Sequence, residues 1–66
     1  MPPETTREKA ERHVREGEEY VAGQKAVVAG LKTLGRSTRE ARALLVLFEE
    51  SLAGHKRNLA ALNEKA

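Results

Sequence analysis

His13 and His55 are the two side chains of this sequence best suited to proton transfer or metal binding near neutral pH. Carboxylates would have to complete any such centre. Glu16, Glu49 and Glu50 are the nearby acids, and Glu49 is the one taken as a candidate. His13, His55 and Glu49 are therefore the metal candidates. Their spacing does not close a site. Bundle metal centres place Glu-x-x-His pairs on facing helices, and metalloproteases use His-Glu-x-x-His; neither pattern occurs. The sequence implies no metal and no other cofactor. The histidines read instead as packed rings that hydrogen-bond Tyr20, Gln24 or solvent. Ser51 precedes His55 by four residues, one helical turn, which brings a hydroxyl towards an imidazole. Nucleophilic catalysis also needs an orienting third group, an oxyanion loop and a cleft. None of these is legible, so no enzyme is expected.

A second group of charged side chains is Lys32, Arg36, Arg39 and Arg42, opposed only by Glu40. The three arginines recur every third residue and would share one side of a turn. Cations at a helix start oppose its dipole, so they do not serve that helix. They could dock an acidic partner or a phosphate, or simply be solvated.

Two helices must position these residues. Thr5-Thr6-Arg7-Glu8 is a T-x-x-E capping box, and Ser37-Thr38-Arg39-Glu40 repeats the signal as S-x-x-E. Between them no proline interrupts, and Gly35 suits the left-handed position that ends a helix. Pro2 and Pro3 keep the start extended. The expectation is an all-α antiparallel hairpin. It has an extended tail at 1–5, helices at about 6–34 and 38–64, and a turn at 35–37. All of residues 1–66 would form one domain.

Apolar residues recur in alternating steps of three and four on both arms. The first reads Ala10, His13, Gly17, Tyr20, Gln24, Val27, Leu31 and Leu34, widened by Val14, Val21 and Val28. The second reads Ala41, Leu45, Phe48, Leu52, His55, Leu59 and Leu62. Folding at 35–37 would set Leu31 against Leu45, Val27 against Phe48 and Gln24 against Ser51 and Leu52. Tyr20 would lie against His55, and His13 against Leu62. Tyr20, Gln24, Ser51 and His55 would then form a polar layer.

Gly17, Gly23, Gly30 and Gly54 fall inside the helices, each costing about 1 kcal/mol relative to alanine. Gly23 and Gly30 lie one heptad apart, and Ala22, Ala26, Ala29 and Gly30 occupy neighbouring rows. Such a ridge lets another helix approach closely. On the second arm Leu44, Leu47 and Val46 are the residues left without a partner in a lone hairpin. The expected interface is Ala22, Gly23, Ala26, Ala29, Gly30, Leu44 and Leu47. It would join two copies into a four-helix bundle homodimer or dock the chain on a larger protein as a small accessory subunit. A histidine-based metal-binding or sensory bundle is the remaining alternative.

Composition agrees with a helper-dependent small domain. The chain has 66 residues and no cysteine, so disulfides cannot stabilise it. A net charge of +2 does not argue for nucleic acid. No apolar run reaches the roughly 20 residues of a membrane span, and the first residues do not resemble a signal peptide. A cytoplasmic location is the expectation.

Residues 13–55, "HVREGEEYVAGQKAVVAGLKTLGRSTREARALLVLFEESLAGH", resemble a group of short bacterial proteins. Their pattern runs H-[IV]-x-x-G-E, Q, G-x-x-T, then A-x-x-L-L-x-x-F-E-x-[ST]-L-x-x-H. It maps to His13, Val14, Gly17, Glu18, Gln24, Gly35, Thr38, Ala41, Leu44, Leu45, Phe48, Glu49, Ser51, Leu52 and His55. Ser37 stands where many members carry Asp, a swap that preserves capping. The resemblance implies the hairpin and no activity, and it directs attention to His13, Gln24, Glu49 and His55.

Overall fold

The Thr5–Glu8 box forms as its residue types require. The Glu8 amide donates to Thr5 Oγ1 at 3.1 Å and the Thr5 amide donates to Glu8 Oε1 at 3.1 Å. From this cap the first helix, α1, runs over Thr6–Thr33, and the second, α2, over Arg39–Glu64. The computed structural model describes residues 2–65. The N-terminal segment ahead of α1 is tied back by Arg12. Its Nε lies 3.0 Å from Glu4 Oε2, while Nη1 lies 2.7 Å from Glu16 Oε1. The hydrogen bond from Arg12 holds the Glu4 carboxyl below the usual carboxylate range.

α1 ends on glycine. Gly35 takes φ +70°. The Arg36 amide donates to Leu31 O at 2.9 Å and the Gly35 amide to Lys32 O at 3.0 Å. This is the paired 6→1 and 5→2 closure of a Schellman motif. Any Cβ at Gly35 would meet the left-handed penalty of about 1–2 kcal/mol. Gly35→Ala is accordingly expected to lower unfolding stability by about that amount without loss of helicity, as a chemical denaturation midpoint would show.

The second capping box does not form. Thr38, at φ −107° and ψ 4°, is the N-cap of α2, and its side chain makes no capping bond. Starting one residue late moves Glu40 out of the position from which it could reach back. Ser37 Oγ instead accepts a long bond from the Arg39 amide, 3.4 Å, across a local turn.

The link at 36–38 is non-helical, and the register differs from the simple folding of 35–37. Tyr20 stacks on Phe48 and His13 packs against His55, each one heptad earlier on α2 than expected. Gly17 faces Leu52, and Gln24 Nε2 donates to Ala41 O at 2.8 Å. Leu31–Leu45, Val27–Phe48 and Gln24–Ser51 are therefore not the facing pairs. The Schellman closure reverses the chain at Gly35, and the link is spent in crossing to the second axis, so α2 begins at Arg39 level with the last turn of α1. The expected polar layer separates with the register: Gln24 goes to Ala41, Tyr20 to Phe48, and Ser51 to His55.

The inward row of α1 is also different. Ala10 and Val21 are buried, and Val14, Gly17, Gln24, Val28 and Leu31 are half-buried. Tyr20, Val27 and Leu34, expected inside, are exposed. Both rows share Ala10, Gly17, Gln24 and Leu31, and the short valines win the seam. Gly17 explains why. A Cβ there would come within 3.1 Å of Leu52 Cδ1, so Leu52 of α2 packs against bare backbone of α1 at this position. Valine flanks that close approach better than tyrosine can. α2 presents the expected row, Ala41, Leu45, Phe48, Leu52, His55, Leu59 and Leu62, each half-buried.

The hairpin is one layer thick, with extents of 49 × 26 × 12 Å. Among the described residues no large side chain is fully buried. The accessible surface is 5259 Å² for 7.3 kDa. Compact monomers of that mass expose about 4,200 Å². The excess is roughly 1,100 Å².

Candidate functional site

The two ring contacts identify one broad side of the layer. Tyr20 and Phe48 stack with centroids 5.6 Å apart at 28°, and His13 and His55 meet at 5.1 Å and 44°. On α1 this side continues from Tyr20 in steps of three and four through Gly23, Val27, Gly30 and Leu34. On α2 it continues through Leu44, Leu47 and Ser51. Five large apolar residues lie open here: Tyr20 at 60%, Val27 at 49%, Leu34 at 71%, Leu44 at 41% and Leu47 at 60% exposure. They fall in the half of the hairpin nearest the turn.

Gly23 and Gly30 alternate with Tyr20, Val27 and Leu34 along this stripe. Nothing lies within 4 Å of where a Cβ would stand on either glycine. The stripe is thus a row of three apolar projections separated by two gaps. The expected interface is partly gathered here, with Gly23, Gly30, Leu44 and Leu47 on one side of the molecule. Ala22, Ala26 and Ala29 are exposed but turn towards the back of α1, away from the seam. Sequence reasoning placed Tyr20, Val27 and Leu34 inside the hairpin. The signal that they are outside is the second three-four row through Val14, Val21 and Val28, which could satisfy α2 alone.

The histidines come together, but not with a metal-binding set. Both are half-buried, and His55 Nε2 lies 3.3 Å from Ser51 Oγ. Glu49 sits about 120° around α2 from His55 and points elsewhere. Among the described residues no group of three or more His, Cys, Asp or Glu side chains could hold a metal ion. The Ser51–His55 pair has no acidic third member in hydrogen-bond contact. The arrangement packs two rings across the seam at the open end. Ser51 is exposed, so losing its histidine partner leaves the hydroxyl to water and no buried polar group unsatisfied. A His55→Leu variant is expected to stay helical with an unchanged or higher melting temperature. Loss of helicity, read by circular dichroism, would contradict this packing role.

Lys32, Arg36, Arg39 and Arg42 are all exposed at the turn end. None takes part in an ion pair among the described residues, whose ion pairs are Arg12 with Glu4 and Arg12 with Glu16. Their field is therefore unspent within the chain. Among the described residues no helix is long and apolar enough to cross a membrane. Comparison with protein-family models, with curated proteins and with solved structures yields no match to the chain.

Proposed function

We propose that this chain is a non-enzymatic helical interaction module that associates with a second copy of itself, two hairpins stacking into a four-helix bundle. The observation that carries the reading is the mismatch between surface and mass. Stable domains pack two layers around a core, and this hairpin supplies one layer, 12 Å thick. Its excess surface of roughly 1,100 Å² compares with the roughly 800 Å² that each partner buries in a standard interface. Five of the six open large apolar residues, all but Val46, lie together on one side, as an interface core requires and as a monomer surface avoids.

The test is whether folding depends on concentration. Circular dichroism melts over a hundredfold range should show a melting temperature that rises with concentration, because binding stabilises only the folded chain. Sedimentation equilibrium should give twice the chain mass at the upper end. A well-folded monomer with a concentration-independent melt would overturn the proposal. A chain that is poorly helical alone and orders only with another protein would move the same surface to a heterotypic role.

A further inference from the structure

We infer that the two copies stack with their turns pointing in opposite directions, so that Arg36 of each copy comes level with Glu16 and Glu19 of the other. The inference rests on the self-association proposed above and specifies its geometry. Two two-fold arrangements cover the same face. In one the axis runs along the helices, and both turns lie at the same end. In the other the axis crosses the helices, and the turns lie at opposite ends. Both bury Tyr20, Val27, Leu34, Leu44 and Leu47, so apolar contact does not choose between them.

Charge does choose. Each turn end carries Lys32, Arg36, Arg39 and Arg42 against Glu40, and none of the four cations is paired among the described residues. Placing both turns at one end doubles that charge in one place and leaves it uncompensated. With the axis across the helices, the centre of the stripe, Val27, faces its own copy. Residues equally far on either side of Val27 then come level. Leu34 meets Tyr20, and Arg36 arrives at the level of the acids at 16–19. Glu19 is exposed and makes no ion pair among the described residues. Glu16 already receives Arg12 at 2.7 Å and would take Arg36 as a second cation.

The two arrangements differ most at the open ends. The chain contains no cysteine, so Asn63→Cys, at an exposed position on α2, accepts a single spin label. Opposed turns put the two labelled positions roughly 65 Å apart, and turns at one end put them roughly 15–20 Å apart, from the helical rise and the spacing of packed helices. Pulsed dipolar spectroscopy on the full chain, at a concentration where sedimentation gives the dimer, is expected to return the long distance. A short distance overturns this geometry and leaves self-association standing. Absence of any dipolar modulation, with a monomer in sedimentation, overturns both. Salt supplies an independent sign. Screening an attraction between Arg36 and the acids weakens association as ionic strength rises, whereas screening repulsion between two cationic turns strengthens it. Weakening is expected, and strengthening would overturn the geometry.

Discussion

Leu47→Glu is expected to abolish association, and Val46→Glu to leave it unchanged. The two side chains are neighbours and similarly open in the single hairpin, at 60% and 50% exposure. A purely intramolecular account therefore gives them nearly the same consequence. They differ in direction. Leu47 lies on the side marked by the Tyr20–Phe48 stack, while Val46 is turned about 100° further round the helix, to the other side of α2. A carboxylate at Leu47 would have to be desolvated inside the interface, a penalty of several kcal/mol that the turn cations of the other copy offset only in part. The dissociation constant should rise by at least about 100-fold, equivalent to roughly 2.7 kcal/mol. A carboxylate at Val46 keeps its water. Sedimentation equilibrium on both variants checks this, and equal behaviour of the two would remove the face from the account.

What could be read from residue types alone was the local chemistry. Thr5 with Glu8, and Gly35 after Leu34, specify a helix start and a helix stop through bonds to nearby amides and carbonyls, and those bonds form. The inward row of α2 was legible because only one three-four row there is apolar. On α1 two rows were apolar, sharing Ala10, Gly17, Gln24 and Leu31, and periodicity alone does not rank them. The choice depends on how near the helices come. That is set where Gly17 meets Leu52, a contact between residues far apart in sequence. The register was illegible for a related reason. It depends on the path of 36–38 between the helices, and the S-x-x-E at 37–40 looked like a helix start there. α2 instead starts from Thr38 as N-cap, and the two ring contacts stand one heptad from the pairs expected. The pairing of His13 with His55 followed from that register and from nothing local. The candidate interface was half legible: Leu44 and Leu47 were visible as surplus, whereas Tyr20, Val27 and Leu34 had been spent on the wrong seam.

Alanine at Gly23 and Gly30 should change sign with concentration. In the single hairpin both positions face open space, with nothing within 4 Å of a Cβ. Each substitution then gains helix propensity alone, about 1 kcal/mol per site. At concentrations where the chain is monomeric, the double variant should melt higher than the parent. In the stacked dimer the same methyl groups enter the gaps between Tyr20, Val27 and Leu34, where the other copy approaches. Overpacking there costs typically 1–3 kcal/mol per site, enough to cancel or exceed the gain. The melting curves of variant and parent should therefore converge or cross as concentration rises, and the variant should dissociate more readily. Gly17 is the internal control. Its Cβ would stand 3.1 Å from Leu52 Cδ1 of the same chain, so Gly17→Ala meets its obstacle at every concentration. Its effect on stability should be the same in dilute and concentrated solution once measured relative to the monomer. If Gly23→Ala and Gly30→Ala instead raise the melting temperature equally across the whole range, with association unchanged, the two gaps lie on a solvated face and no helix packs against them.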